Sequence, residues 1–328
     1  MIAKRVYNFT PESTYTYRSP ILKKMFDLVT VGHFAIDLIS SPKITTPKPT
    51  LGGPPTYVSV AARKLDAKIS VISKVGEDFS SRNIAWLNAN GVDLSGLKRI
   101  KGASTTRFIL KYTNRRRQLQ LRSRAPPILP EDIPNSLRTK AIHIAPVANE
   151  ISRNLVDKMR TLTNVLSLDP QGFVREFDGN GNVHLKRWHD QQVLEQIDVY
   201  KSSSNEIRRV TGLADLHLAM EKIHDYGAKI VVVTRGMKGS KLLCEGKLYD
   251  IPACEPKIVR DPTGAGDAFI GAFLAEHVKG KGPVWCACTG SASSSFVVEG
   301  VGPEVFGEKE EIYGRASKIW KNVTIQKK

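Results

Sequence analysis

A chain of 328 residues can bury a large core, and its 41% hydrophobic and 25% charged residues are ordinary for a globular protein. No apolar run approaches the roughly 18 residues that span a bilayer, and the N-terminus lacks the apolar centre of a secretory signal, so we expect a cytoplasmic protein without a membrane segment. The four cysteines have neither the spacing of a disulfide framework nor that of a zinc site.

The formal net charge of +17 is concentrated in one stretch. Ten basic residues and no acidic one lie between Lys98 and Arg124. A solvated hairpin and a site for anionic ligands are equally good interpretations of such a run. Direct binding of nucleic acid ranks behind both, because the stretch lacks a reading helix or a pattern of stacking aromatic residues.

Along the chain, β-branched runs alternate with helical stretches from Phe26 onward, which is the rhythm of βαβ units. Residues 1–24 are polar and basic without such periodicity, so we predict a flexible basic extension before one domain at 25–328. Continuous apolar strands such as Ile230–Val233 indicate burial on both faces. The sequence therefore predicts an α/β fold with a mainly parallel central sheet, flanked by helices on both faces, and ligands beyond the carboxyl ends of the strands. The elements that carry this prediction are Phe26–Val31, Tyr57–Leu65, Lys68–Val75, Ala141–Ile144, Val165–Asp169, Leu216–Tyr226 and Ile230–Thr234.

Two segments, near 37–50 and 101–124, break this rhythm. Thr105–Tyr112 and Gln118–Arg124 are strand-like and are joined through a plausible turn at Asn114–Arg116, which predicts an antiparallel hairpin. Such a hairpin cannot lie inside a parallel sheet, so we predict a small β lid attached to one edge. Its exposed sheet edge would be a natural homodimer contact, although a monomer is equally permitted.

The most informative motif runs from Asp261 to Asp267 and leads into a helical run of small residues. Gly264, Ala265 and Gly266 leave backbone N–H groups uncovered at a helix start, where the partial positive charge favours a phosphate. Asp267 follows immediately, beside the place where an acceptor hydroxyl would give up its proton during phosphoryl transfer. We therefore predict that the Gly-Ala-Gly turn stabilises the moving phosphoryl group and that Asp267 is the catalytic base.

Other interpretations of this motif fit less well. A dinucleotide fingerprint would need a third glycine where Phe269 stands. A P-loop also fails, because Gly236–Ser240 has glycine and lysine in the wrong order. A plain helix cap would require neither the second glycine nor the following carboxylate.

With this motif, the chain from Phe26 onward resembles the ribokinase-like carbohydrate kinases, also called the PfkB family. The resemblance implies a ribokinase-like fold and an ATP-dependent kinase that uses Mg²⁺ to phosphorylate a hydroxyl of a small sugar or polyol. In that family the lid closes over the acceptor and excludes water. The family also suggests a monovalent cation such as K⁺ near Asp261 and Thr263, which the residues alone do not establish.

Several residues resemble the acceptor side of the family site. Asp37 ends a segment that looks like the first-strand motif, whose aspartate binds acceptor hydroxyls; a turn or N-cap aspartate is the alternative. Gly52 and Gly53 are similar to the family's di-glycine, where side chains would block the acceptor and the lid hinge; a plain Gly-Pro turn is the alternative. Tyr57 stands where family members often have asparagine, which leaves the acceptor open.

Other residues resemble the donor side. Ser203 takes the asparagine position of the family's asparagine-x-x-glutamate segment, and Glu206 would hold Mg²⁺ through water. A glutamate in the first turn of a helix is an equally good interpretation of Glu206 alone. Thr234, Gly236 and Gly239 resemble the nucleotide-contacting turn, in which Arg235 would touch a phosphate or face solvent.

The acceptor itself is the least determined part of the prediction. The stretch Asp169–Phe173 has a weaker resemblance to archaeal inositol kinases, and Gln171, which we place in the acceptor site, replaces a common asparagine and argues against assuming ribose. A nucleoside is the second candidate acceptor and a sugar phosphate is the third, because the basic lid would suit it. From another class, a nucleic-acid-binding protein on an inactive kinase fold is the alternative that the net charge motivates.

Overall fold

The computed structural model describes residues 25–40, 46, 48–112 and 117–326. The predicted extension 1–24 and the predicted hairpin turn at Asn114–Arg116 lie outside these residues. Within the described ranges, no helix is long and apolar enough to cross a membrane.

In the described part of the chain, the central sheet has ten strands. Seven of them run parallel, and three antiparallel strands extend one edge. In spatial order, the parallel strands are β5 (Asp93–Ile100), β4 (Ile69–Gly76), β1 (Met25–Val31), β8 (Arg138–Ile144), β9 (Val165–Leu168), β12 (Val199–Ser203) and β13 (Ile230–Thr234). The antiparallel strands that follow are β14 (Ser240–Cys244), β15 (Lys247–Ile251) and β16 (Thr324–Ile325).

Helices cover both faces of this sheet, as the sequence predicts. In β13, Val231 and Val233 face one hydrophobic cluster, whereas Ile230 and Val232 face the other. Such burial on both faces explains why the strand is apolar at every position. On the first face lie α3 (Arg153–Arg160), α4 (Gln191–Leu194), α5 (Ser204–Thr211) and α6 (Leu216–Asp225). On the second face lie α1 (Pro54–Arg63), α7 (Ala265–His277), α8 (Pro283–Val297) and α9 (Lys309–Trp320), and α2 (Ser81–Ala89) packs in a smaller cluster.

The predicted hairpin forms part of a second, four-stranded sheet, the lid. In spatial order its strands are β3 (Pro49–Gly52), β2 (Ala35–Ser40), β6 (Thr106–Tyr112) and β7 (Arg117–Ser123). The antiparallel pairing of β6 with β7 places Phe108 opposite Leu121 and Leu110 opposite Leu119. These side chains pack with Val147 into an apolar cluster on one face of the lid.

A short hairpin of the same chain lies against the β7 edge of the lid. It consists of β10 (Arg175–Phe177) and β11 (Val183–Leu185). The Leu121 amide donates to the Gly181 carbonyl at 2.7 Å, and Gln120 forms a β-bridge with Asn182. The hairpin therefore covers part of the β7 edge of the lid.

The buried ring of His33 joins the chain segments that enter and leave the lid. Its Nε2 lies 3.1 Å from the Pro126 carbonyl oxygen, which can only accept, so Nε2 carries the proton. Its Nδ1 then accepts from the Thr106 hydroxyl at 2.9 Å, and that hydroxyl in turn accepts from the Ala125 amide at 3.0 Å. Burial lowers the pKa of His33, which keeps the ring in this neutral form.

The basic run does not form one hairpin. Lys98 lies on β5 of the central sheet and pairs with Asp132 at 2.8 Å. Arg107 lies on the lid and pairs with Asp78 at 2.7 Å. The expectation of a single solvated hairpin from Lys98 to Arg124 is therefore wrong, because the run crosses from one sheet to the other.

Candidate active site

A cavity of about 240 Å³ lies where the carboxyl ends of the central strands meet the lid. Polar side chains from the strand ends form its floor, and apolar side chains of the lid face them. Its lining residues are Ala35, Asp37, Gly53, Pro54, Tyr57, Phe108, Leu110, Leu119, Val147, Asp169, Gln171, Arg175, Lys201, Ser203, Glu206, Thr234, Pro262, Thr263, Gly264, Gly266 and Asp267.

The turn that begins α7 contains two glycines, and a side chain at either one would approach a neighbouring residue closely. Gly264 has a φ of 78°, and a methyl group there would lie 2.3 Å from Cδ1 of Tyr57. A methyl group on Gly266 would lie 2.8 Å from Nζ of Lys201. Ala265, between them, is the first residue of α7. Because the first N–H groups of a helix lack an intrahelical acceptor, this turn presents donors for an anion.

Asp267 lies in the first turn of α7 and lines the cavity. Its Oδ1 accepts a hydrogen bond from Nε2 of Gln171 at 3.2 Å. Burial raises the pKa of Asp267 to about 6, since the positive charge of Lys201 offsets only part of the cost of desolvation. The carboxylate is therefore ionised at neutral pH and is a better proton acceptor than an exposed aspartate, which suits a general base.

An ion pair between Lys201 and Asp169 lies beside Asp267, and we did not assign either residue to the site from the sequence. Both side chains are buried. Burial alone would lower the pKa of Lys201, but the carboxylates of Asp169, Asp267 and Glu206 together raise it, so the amine stays charged. The available signal was position, since Asp169 directly follows the apolar strand β9 and Lys201 is a charged residue inside the neighbouring strand β12.

Ser203 and Glu206 both line the cavity and also cap α5. The Ser203 amide donates to Oε2 of Glu206 at 2.7 Å, and the Glu206 amide donates to the Ser203 hydroxyl at 3.4 Å. This reciprocal pair is a capping box. The two interpretations of Glu206, a helix-capping residue and a residue of the site, are thus compatible.

On the lid side, Asp37 is 5% exposed and lines the cavity with Gly53. Gly52 lies outside the cavity lining, and a methyl group there would lie 2.0 Å from Oδ2 of Asp37. Gly53 has a φ of 81°, and a methyl group there would lie 2.4 Å from the His33 carbonyl oxygen. The two glycines therefore make room for the aspartate and for the root of the lid.

Gln171 lies between Asp267 and Arg175. Nη2 of Arg175 donates to Oε1 of Gln171 at 2.9 Å, and Nη1 donates to the Val147 carbonyl at 3.0 Å. Arg175 was not assigned to the site from the sequence, because it stands four positions beyond Gln171 in a stretch without periodicity. The two walls of the cavity also meet directly, since the hydroxyls of Tyr112 on the lid and Thr263 lie 2.9 Å apart.

Five of the predicted residues lie outside the cavity lining, namely Gly52, Ala265, Gly236, Gly239 and Asp261. Gly236 and Gly239 have φ angles of 58° and 75° in the turn after β13. Asp261 is buried under the α7 turn, where its carboxylate accepts from the Thr263 amide at 3.0 Å, from the Thr263 hydroxyl and from the Gly302 amide. Thr234 alone of the β13 turn lines the cavity.

Arg235, for which contact with a phosphate and exposure to solvent were the two expectations, does not simply face solvent. Its guanidinium pairs with Asp250 on β15 at 3.0 Å. The antiparallel strands beyond β13, which we did not predict, supply this partner. Arg235 therefore fastens the turn after β13 to the sheet extension.

Comparison with known proteins identifies the family. Residues 25–308 match the family described as pfkB family carbohydrate kinase, so the chain belongs to that family and is a phosphotransferase with an alcohol acceptor. The chain is similar to a cytidine kinase of Thermococcus kodakarensis, with 28% identity over 269 residues that cover 78% of this chain and 90% of the relative. It is also similar to an inositol 3-kinase of Arabidopsis thaliana, with 29% identity over 311 residues that cover 90% of this chain and 80% of the relative.

The fold is shared with solved structures. A sulfate complex of a pyrophosphate-dependent kinase in the ribokinase family superposes with a TM-score of 0.75 and 25% sequence identity. The superposition covers 88% of this chain and 99% of the other. The predicted ribokinase-like α/β fold is thus confirmed.

Proposed function

We propose that this member of the pfkB family transfers the γ-phosphoryl group of ATP to a hydroxyl of a small neutral polyol, with Asp267 as the base. One observation carries the proposal. A buried carboxylate with a pKa of about 6 directly follows a turn in which Gly264 has no room for a side chain, and both border one cavity with Asp37. A nucleotide's terminal phosphate and an acceptor hydroxyl would meet there.

Each wall of the cavity has a role in this proposal. The amides of the Gly264–Gly266 turn and the charged amine of Lys201 stabilise the negative charge of the moving phosphoryl group. Asp37 accepts hydrogen bonds from acceptor hydroxyls, and Asp267 receives the proton of the hydroxyl that attacks. Ser203 and Thr234 border the donor, and Glu206 would hold Mg²⁺ through water, an ion that neutralises phosphate charge.

The charges around the cavity favour a neutral acceptor over a sugar phosphate. Four carboxylates line the cavity, namely Asp37, Asp169, Glu206 and Asp267, against the two cations Lys201 and Arg175. A phosphorylated acceptor would add negative charge to a site that must already receive the donor phosphates. The similarity to an inositol 3-kinase supports a cyclic polyol such as inositol.

A nucleoside is the second candidate acceptor. Phe108, Leu110 and Leu119 form an apolar wall on the lid side of the cavity, and a base could pack against this wall. The similarity to a cytidine kinase supports this alternative. Both candidates share the same base and the same anion-binding turn.

A kinase assay with purified protein tests the proposal. The donors would be ATP and pyrophosphate, since one structural neighbour is a pyrophosphate-dependent kinase. The acceptors would be inositols, pentoses, hexoses, their phosphates and nucleosides, each with Mg²⁺ and with or without K⁺. We expect the highest kcat/KM with ATP and a neutral polyol. A preference for a sugar phosphate, or no turnover with any pair, would refute the proposal.

The same preparation tests three smaller proposals. Loss of activity on replacing K⁺ with a bulky organic cation would support a monovalent cation near Asp261 and Thr263. Light scattering at several concentrations decides between a monomer and the homodimer that an exposed lid edge would allow. Salt-dependent retention on DNA or RNA, together with no phosphoryl transfer, would favour the nucleic-acid-binding alternative.

A further inference from the structure

Gln171 is held by hydrogen bonds at both ends of its side-chain amide. Oε1 accepts from Nη2 of Arg175 at 2.9 Å, and Nε2 donates to Oδ1 of Asp267 at 3.2 Å. A guanidinium can only donate and an ionised carboxylate can only accept, so a single orientation of the amide satisfies both neighbours. Arg175 thus donates to Gln171, and Gln171 donates to Asp267; we call this hydrogen-bonded series the relay.

The far end of the relay is held by the lid side of the cavity. Arg175 is 9% exposed and donates from Nη1 to the carbonyl of Val147, which packs in the apolar lid cluster. The guanidinium carbon lies 5.9 Å from the centre of the Phe108 ring on β6. Arg175 is also the first residue of β10, whose hairpin lies against β7. The position of the relay therefore depends on where the lid lies.

We propose that Gln171 is a positioning residue that aims the Asp267 carboxylate, with Arg175 orienting the Gln171 amide, and that Gln171 is not an acceptor-binding residue. This inference rests on the proposed function of Asp267 as the base. A carboxylate in the first turn of a helix can rotate about two side-chain bonds, and a base works only when it is correctly aimed at the attacking hydroxyl. One amide donor on Oδ1 fixes that rotation and leaves Oδ2 for the substrate.

The two roles for Gln171 predict different kinetics. An acceptor-binding residue would raise the KM for the acceptor when it is removed, with a smaller effect on kcat. A positioning residue acts on the reacting geometry, so its removal lowers kcat and leaves the acceptor KM nearly unchanged. Leucine is similar in size to glutamine, so Gln171→Leu removes the two side-chain hydrogen bonds with little change in volume.

The experiment measures kcat and KM for wild type, Gln171→Leu, Arg175→Met and the double variant, with the best acceptor from the donor and acceptor screen. We expect Gln171→Leu to lower kcat about tenfold, the value of one hydrogen bond to a charged group. Arg175→Met should lower kcat in the wild-type background and cost little more once Gln171 is leucine, because its effect passes through the amide. The control is Gln196→Leu, which removes surface hydrogen bonds from Nε2 of Gln196 to Asp157 and to the Gln192 carbonyl and should leave kcat unchanged.

A second measurement needs no turnover. The melting temperatures of wild type, Gln171→Leu, Asp267→Asn and their double variant form a cycle that reports contact between the two side chains, and we expect the changes in melting temperature to be non-additive by about 2 °C. A higher acceptor KM with unchanged kcat in Gln171→Leu would overturn the inference. Additive changes in both the kinetic cycle and the melting-temperature cycle would also overturn it. If wild type turned over no acceptor, the proposed function and the catalytic role of the relay would fall together, even with non-additive melting temperatures.

Discussion

The two walls of the cavity are built in opposite ways. The wall at the start of α7 is one continuous turn, Asp261–Asp267, in which Gly264 lies where a methyl group would clash with the Tyr57 ring. The lid wall collects single apolar side chains from β2, β6, β7 and the loop at Val147. A continuous, sterically constrained turn suits the chemistry, whereas separate apolar side chains can be exchanged to suit an acceptor. We therefore expect substitutions in the turn to change kcat and substitutions in the lid wall to change acceptor choice.

The largest expected effect is the loss of the base. Asp267→Asn should lower kcat by about 10² to 10⁴-fold, the usual contribution of a general base, while the fold is kept. Steady-state kinetics with circular dichroism measures both. Asp157→Asn, which changes a surface carboxylate, is the control and should be silent. If Phe108→Leu on the lid wall lost more kcat than Asp267→Asn, the assignment of the chemistry to the turn would be contradicted.

Gly264→Ala tests the steric constraint in the turn. The substitution forces a left-handed conformation on alanine and places a methyl group against the Tyr57 ring, so we expect a loss of about 3 kcal/mol in the free energy of unfolding. Gly246→Ala is the matched control, since Gly246 has a φ of 68° but open space around the missing methyl group. It should lose only about 1 kcal/mol. Equal losses in urea unfolding would show that a methyl group at position 264 does not clash with the Tyr57 ring.

The buried charge of Asp267 should also affect stability. Its folded pKa of about 6 lies above the ordinary value of 3.8, so its ionisation destabilises the fold as pH rises through 6. Asp267→Asn cannot ionise, and at pH 8 it should raise the free energy of unfolding by up to about 3 kcal/mol. The gain should shrink below pH 6 and vanish near pH 4. Urea unfolding across this range measures it, and a gain that did not vary with pH would contradict the assigned cause.

The smallest expected effect concerns the bond between the two walls. Tyr112→Phe removes the hydroxyl contact with Thr263, and we expect the acceptor KM to rise about fivefold with kcat nearly unchanged. Tyr249→Phe on β15, outside the cavity, is the control. A fall in kcat larger than the rise in KM would place Tyr112 with the chemistry instead of the lid.

The turn at α7 could be predicted from the sequence because its parts are adjacent along the chain. The central strands could also be predicted, since burial on both faces makes them apolar at every position, as in β13. The ion pair of Lys201 with Asp169 was harder to predict. Its partners come from two strands that are neighbours only in the folded sheet.

The remaining misses have the same physical origin. The antiparallel strands β14–β16 carry the Asp250 partner of Arg235, and their pairing depends on the edge of a sheet that no local pattern shows. The basic run suggested one hairpin because no acidic residue interrupts it, although Lys98 and Arg107 belong to different sheets. Arg175 lies in the site because the fold places the start of β10 beside the cavity, which no local sequence pattern shows.

The bond from the Leu121 amide to the Gly181 carbonyl limits how the lid can move. A swing that keeps this bond must carry the β10–β11 hairpin along and so displace Arg175 at its base. A swing that breaks the bond must expose the Leu121 amide to solvent, and in deuterated water its proton is then replaced by deuterium. Deuterium uptake at the Leu121 amide therefore distinguishes two kinds of lid opening. In one, the lid opens without the β10–β11 hairpin; in the other, each release of product also moves Arg175 and disturbs the position of Asp267.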